Sequence, residues 1–246
     1  MKIIVHKYGG KSLGNVKRIK SVCNRLFYYV KKGYKIVVVV SAMGNTTDYI
    51  KLFLSEHKLF DKNKECDSIL SIGEQFSVSF LNLFLKKKNI KSDFLNSFQV
   101  PILSRGEYGD SKIYYINKNK IYEKLKTNDV LLITGFQGIN FSGNITTLSR
   151  GGSDTTAVKI TKFLGLKKCY IYTDVSGVFS FDPNMFNSFE RIKKISYSEM
   201  IELVNSGSRV MSLESLYSGL KNNIKIYILS SFKKYTFDKK YRTLIK

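Results

Sequence analysis

Apolar residues along this chain cluster in short segments that alternate with longer amphipathic ones. Residues 3–5, 36–40, 130–134, 169–173 and 225–229 are rich in Val, Ile and Tyr and apolar on both faces, which predicts buried parallel strands. Between them, residues 15–30 end at Gly33, and 71–88 keep apolar spacings of three and four. Residues 154–164 stop at Gly165, and 198–204 stop before Gly207. Each of these spacings predicts a helix with a glycine or polar stop. Strand and helix in alternation imply an α/β fold whose mostly parallel sheet is covered on both faces. Ligands in such sheets sit beyond the carboxyl ends of the strands, so the informative residues should follow the strands.

The chain has 246 residues and no internal repeat, low-complexity linker or composition break, which fits one domain over 1–246. Its longest apolar runs, 36–40 and 130–133, fall far short of the roughly 20 residues that span a bilayer. The N-terminal segment MKIIVHKYGG is too polar for a signal-peptide core. Cys23, Cys66 and Cys169 are widely spaced, with only His6 and His57 to join them, so structural zinc and a disulfide framework are not expected. A reducing, cytoplasmic setting fits.

Charge is the unusual feature. Forty-one Lys and Arg against 19 Asp and Glu give +22. The lysines are scattered among frequent Asn, Ile, Phe and Tyr, as an AT-rich genome would encode, and no RRM, KH, helix-turn-helix or zinc-knuckle pattern accompanies them. A nucleic-acid partner is therefore not expected.

Candidate chemistry follows the strands. Lys7-Tyr8-Gly9-Gly10-Lys11-Ser12 imitates the end of a P-loop, but Val5 stands where that motif needs glycine. The glycine pair with Lys7 reads equally as a plain turn or as a phosphate loop. The hydroxyl-rich turn 41–48, with Ser41 and Thr47, would serve as a helix cap. Ser71 and Glu74 form an S-x-x-E capping box, the alternative being that Glu74 binds a substrate ammonium. Leu148-Ser149-Arg150-Gly151-Gly152-Ser153-Asp154 offers backbone donors, a helix dipole and a guanidinium fork, together an anion site. Residues 172–183 hold Asp174 and Asp182-Pro183, either turn chemistry or a binding loop.

Taken in order, KYGGKS, VVVVSAMGNTTD, SIGEQ, GFQGI, TTLSRGGSDTTAV, YTDVSGVFSFDP and ISYSEMIELVNSGSRV resemble the aspartate kinases of the amino-acid kinase family, from Lys2 to about Ile245. The resemblance implies a three-layer α/β/α sandwich of the carbamate-kinase type, with L-aspartate held by the N-terminal half and ATP by the C-terminal half. It also implies transfer of the γ-phosphoryl group to the β-carboxylate, the first step toward lysine, threonine and methionine, in a cytoplasmic homodimer. Lys7 and Asp154 match catalytic positions. Ser41, Thr47, Glu74, Arg150, Ser153 and Asp154 match the aspartate site. Lys7, Gly9, Gly10, Thr173, Asp174, Phe179, Asp182, Asn184 and Arg209 match the nucleotide site. No protein metal cage is expected, Mg2+ being held mainly by the ATP phosphates. The chain departs from the family at Lys11 (usually Thr), Asn184 (usually Arg) and Arg209 (usually Lys). Residues 241–245 resemble the family's lead into regulatory ACT domains, so control by such domains is not expected here. The alternatives are an acceptor other than aspartate, and a decayed kinase fold that binds polyanions.

Overall fold

The computed structural model describes residues 1–179, 190–208, 210–238 and 241–246. In chain order the elements are β1 (Lys2–Tyr8), α1 (Gly10–Leu13), α2 (Val16–Lys31), β2 (Tyr34–Val40), α3 (Thr46–Glu56), α4 (Lys64–Lys87), β3 (Ser92–Leu95), β4 (Ile102–Arg105), β5 (Lys112–Ile116), α5 (Lys118–Thr127) and β6 (Val130–Thr134). There follow β7 (Gln137–Ile139), β8 (Ile145–Thr147), α6 (Gly152–Phe163), β9 (Lys168–Thr173), β10 (Val178–Phe179), β11 (Arg191–Ile192), β12 (Lys194–Ile195), α7 (Tyr197–Asn205), α8 (Leu213–Lys221), β13 (Lys225–Ser230) and β14 (Arg242–Ile245).

The five strands expected from the apolar segments are β1, β2, β6, β9 and β13, and all five lie in one sheet of order β12-β14-β13-β9-β1-β2-β6-β3. Its pairings are parallel except β13 with β14. Alternate side chains enter two cores, as a doubly covered sheet requires. Val5, Val37 and Val39 pack with Ala157 and Val158 of α6, whereas Ile4, Tyr8, Ile36 and Val38 pack with Ile19, Val22 and Leu26 of α2 and Val78 and Leu81 of α4. Helix, sheet and helix make the expected three layers.

Two local expectations need correction. The helix expected from residue 71 begins seven residues earlier, at Lys64, where the Asn63 side chain accepts the Cys66 N–H at 2.9 Å and Glu65 and Asp67 complement the dipole. Ser71 therefore lies inside the helix, its hydroxyl donating to the Ser68 carbonyl at 2.7 Å, and there is no capping box at Ser71 and Glu74. By length and composition α4 is apolar enough to cross a membrane, yet half of its apolar window is buried inside the protein. Asp67, 1% exposed, accepts from the Thr147 N–H and hydroxyl and the Gly109 N–H, tying α4 to a second sheet of order β5-β4-β7-β8. That sheet was not expected from the sequence.

Helix α6 begins at Gly152, two residues before the expected start at 154, after Gly151 at φ +82°. A side chain at 151 would be strained there, and its Cβ would lie 2.7 Å from that of Ser212. Gly151 thus sets the direction in which the α6 N-terminus meets the sheet.

Candidate active site

The carboxyl ends of β1, β2 and β6 converge with the N-termini of α3 and α6. Lys7, near the end of β1, is 9% exposed, and its Nζ lies 2.7 Å from Asp154 Oδ1 in the first turn of α6. The β1 and β2 turns interlock: the Gly44 N–H donates to the Gly10 carbonyl at 3.0 Å, and a Cβ at Gly10 would stand 2.5 Å from the Gly44 carbonyl oxygen. Gly10 is needed for that close approach.

Glu74 projects from α4 to the end of β2 and is 3% exposed. Its Oε1 accepts the Ala42 N–H at 2.9 Å, while its Oε2 is buried without a hydrogen-bond partner. Burial pushes the carboxyl up to about 8, against the opposing pull of the Ala42 N–H, its own N–H and the Lys7 ammonium. A carboxyl so placed is poised to accept a cationic or hydrogen-bonding ligand.

Ser41, Thr47, Glu74, Arg150 and Ser153, five of the six expected acceptor-site positions, line one cavity of about 250 Å³ together with Lys7 and Gly10. The sixth, Asp154, holds Lys7. The hydroxyls of the 41–48 turn do not cap α3, whose N-cap Asn45 makes no side-chain cap bond. The cavity is smaller than the roughly 300–1,000 Å³ of drug-sized sites. Lys51, Asp48 and Phe136 also line it and were not foreseen. Phe136 takes φ +66°, a strained value for a bulky residue. Its neighbour Gly135 in the GFQG segment was the available signal for an unusual turn.

On the other side of β1 the expected nucleotide residues are only partly assembled. The Gly9 N–H is already donated to the Tyr172 carbonyl at 3.2 Å, so it is not a spare phosphate donor. The Thr173 hydroxyl donates to Asp174 Oδ1 at 2.9 Å, and Asp174 Oδ2 pairs with Lys11 at 2.7 Å. Burial raises the Asp174 carboxyl, but the Lys11 and Thr173 contacts outweigh it and hold the group below its ordinary range. Lys11, one of the departures from the family pattern, is thus engaged with an expected nucleotide residue. Phe179 lies on β10, paired with β11. Thr173, Asp174 and Phe179 do not line the acceptor cavity. Asp182, Asn184 and Arg209 lie outside the described residues. Among the described residues no group of three His, Cys, Asp or Glu is placed to hold a metal ion.

A second buried charge cluster sits against the opposite face of β1. Arg25, 1% exposed, donates to Asp238 Oδ2 and to the carbonyls of Ser230, Ser231 and Lys233, and Asp238 also accepts from the Tyr29 and Tyr172 hydroxyls. His6 lies beside them, fully buried. Burial and then the Arg25 charge push its imidazole down to about 3, so it is neutral.

Residues 2–230 match the family model described as the amino acid kinase family. The chain belongs to that family. Within it the chain is 40% identical over 231 residues to the aspartokinase of Geobacillus stearothermophilus, covering 94% of this chain and 57% of that protein. It spans little more than half the length of the curated relatives it matches. The solved aspartate kinase of Synechocystis superposes with a TM-score of 0.85 at 30% identity, over 99% of this chain and 39% of the other. The UMP kinase of Ureaplasma parvum shares the fold, with a TM-score of 0.71 at 15% identity over 100% and 98% of the two chains. An aspartate kinase and a UMP kinase thus share this fold.

Proposed function

We propose that this chain is an aspartate kinase, transferring the γ-phosphoryl group of ATP to the β-carboxylate of L-aspartate to give 4-phospho-L-aspartate and ADP. The observation that carries the reading is the small cavity in which Lys7, held by Asp154, faces Glu74 with its unpartnered Oε2, and Arg150. The resemblance to aspartokinases supports it.

An aspartate carboxylate, with a pKa of about 3.9, is already an anionic nucleophile, so no base is needed. One of its oxygens attacks the γ-phosphorus as the bond to the ADP oxygen breaks. The residues supply position and charge. Arg150 takes the α-carboxylate in its fork. Glu74 accepts the α-ammonium on Oε2, which shifts its carboxyl toward the ionised form. Lys7 then places its ammonium between the acceptor carboxylate and the incoming phosphoryl group, where charge develops. Asp154 fixes the direction of that ammonium. The donor set fits a Mg2+ carried chiefly by the nucleotide phosphates, since Asp154 and Asp174 are each taken by a lysine. Such an ion supplies neutralisation of phosphate charge.

The test is a coupled ADP-release assay with L-aspartate, with hydroxylamine trapping the acyl phosphate. Aspartate-dependent ADP release with stoichiometric hydroxamate is expected. ADP release with another carboxylate and none with L-aspartate would assign a different acceptor. Salt-sensitive polyanion binding without turnover would favour the decayed-fold alternative.

A further inference from the structure

The acceptor cavity contains one more cation. Lys51 lies one helical turn beyond Thr47 on α3, so the two side chains share a face. Both line the cavity with Arg150 and Glu74. Lys51 is half-buried, and its ammonium lies 6.0 Å from the centroid of the Phe60 ring. Among the described residues no carboxylate is within ion-pair distance of it, including Asp48 three positions earlier. Most lysines of this +22 chain need no explanation beyond solvation. A half-buried lysine lining a cavity is different, because it has no charged partner among the described residues and an anionic ligand in the cavity would supply one.

We infer that Lys51 is a specificity-determining residue, receiving with Arg150 the acceptor carboxylate that is not phosphorylated. The inference rests on the aspartate-kinase reading. An acceptor with two carboxylates needs two separate cationic centres. Lys7 serves the reacting carboxylate and is tied to Asp154. Arg150 is exposed, on the turn before α6, and a lone exposed guanidinium holds an anion weakly. Lys51, fixed on a helix, adds a second positive charge from the opposite chain segment. The pair favours an acceptor that carries a second, non-reacting carboxylate over a monocarboxylic acid.

The experiment compares the unaltered protein with Lys51→Met and Lys51→Arg, using steady-state kinetics and isothermal titration with L-aspartate. Lys51→Met is expected to raise both KM and Kd for L-aspartate about tenfold, as loss of one charged hydrogen bond does, with kcat at saturating aspartate and KM for ATP each within about twofold. Lys51→Arg is expected to recover most of the affinity. Lys51→Gln carries the same test if the methionine variant fails to fold. An aspartate Kd within about twofold of the unaltered protein, or an equal rise in KM for ATP, overturns the role of Lys51. If the unaltered protein neither binds nor phosphorylates L-aspartate, the aspartate reading itself falls and takes this inference with it.

Discussion

His6 and Lys7 are neighbours on β1, yet their side chains enter opposite faces of the sheet and meet two different kinds of buried charge. On the α2 side, Arg25 and Asp238 are enclosed and their polar atoms are bonded to one another, to three carbonyls and to two tyrosine hydroxyls. On the α6 side, Lys7 and Asp154 pair, but Glu74 keeps an unbonded oxygen and the cluster opens on a cavity. A buried charge with its hydrogen bonds complete is held by the fold alone. A buried carboxyl left incomplete beside a cavity, as Glu74 is, costs stability until a ligand arrives, and that is how a binding site differs from a structural network.

The sharpest way to break this contrast is Asp238→Ala. Leaving Arg25 buried without its carboxylate is expected to cost about 3–5 kcal/mol, and at about 2–4 °C per kcal/mol the thermal midpoint should fall by about 6–20 °C. Where the variant is still folded, its KM for aspartate should be unchanged. An unmoved midpoint would make the Arg25 network dispensable. Lys7→Ala is the mirror case: kcat should drop by about 10² to 10³, and because Asp154 is left beside an open cavity that water can enter, the thermal midpoint should fall by less than in Asp238→Ala. A folded variant with near-normal kcat would remove Lys7 from the chemistry.

Glu74→Gln sharpens the comparison through pH. The folded protein keeps a proton on Glu74 up to about 8, whereas the unfolded chain releases it near the ordinary 4.5. The folded state therefore holds more protons between those values, and its stability falls as pH rises through that window. Glutamine keeps the Ala42 contact without the charge. Melting curves should show the variant progressively more stable than the parent from pH 5 to pH 8, while its affinity for aspartate is reduced; parallel curves would contradict the assignment. The smallest effect near neutral pH belongs to His6→Phe. With the folded pKa lowered to about 3 from 6.5, the unfolded state binds the extra proton, so stability is lost as pH falls from 6.5 toward 3. The variant should flatten that acid limb and change little at pH 7, as read by chemical denaturation at several pH values.

Much of this was legible in the chain. The five central strands stand out because both of their faces are buried, which leaves continuous Val and Ile runs. The second sheet was not, since β7 and β8 have three residues each and β5 exposes Lys112, Tyr114 and Tyr115, which breaks the alternation a half-buried strand would show. The S-x-x-E signal at Ser71 misled because it is local. Nothing near Glu74 in sequence says that the Ala42 N–H, 32 residues away, will take its oxygen. Arg25 and Asp238 are 213 residues apart and invisible for the same reason. The acceptor residues were read through an ordered set of motifs, and Lys51 was missed although its spacing of four from Thr47 on a helix was available.

The most direct measurement is a crystal structure with L-aspartate and a non-hydrolysable ATP analogue. Aspartate should occupy the 250 Å³ cavity, with its β-carboxylate beside Lys7 Nζ and its ammonium on Glu74 Oε2. Aspartate bound elsewhere, or an empty cavity at saturating aspartate with Glu74 Oε2 still unpartnered, would contradict it.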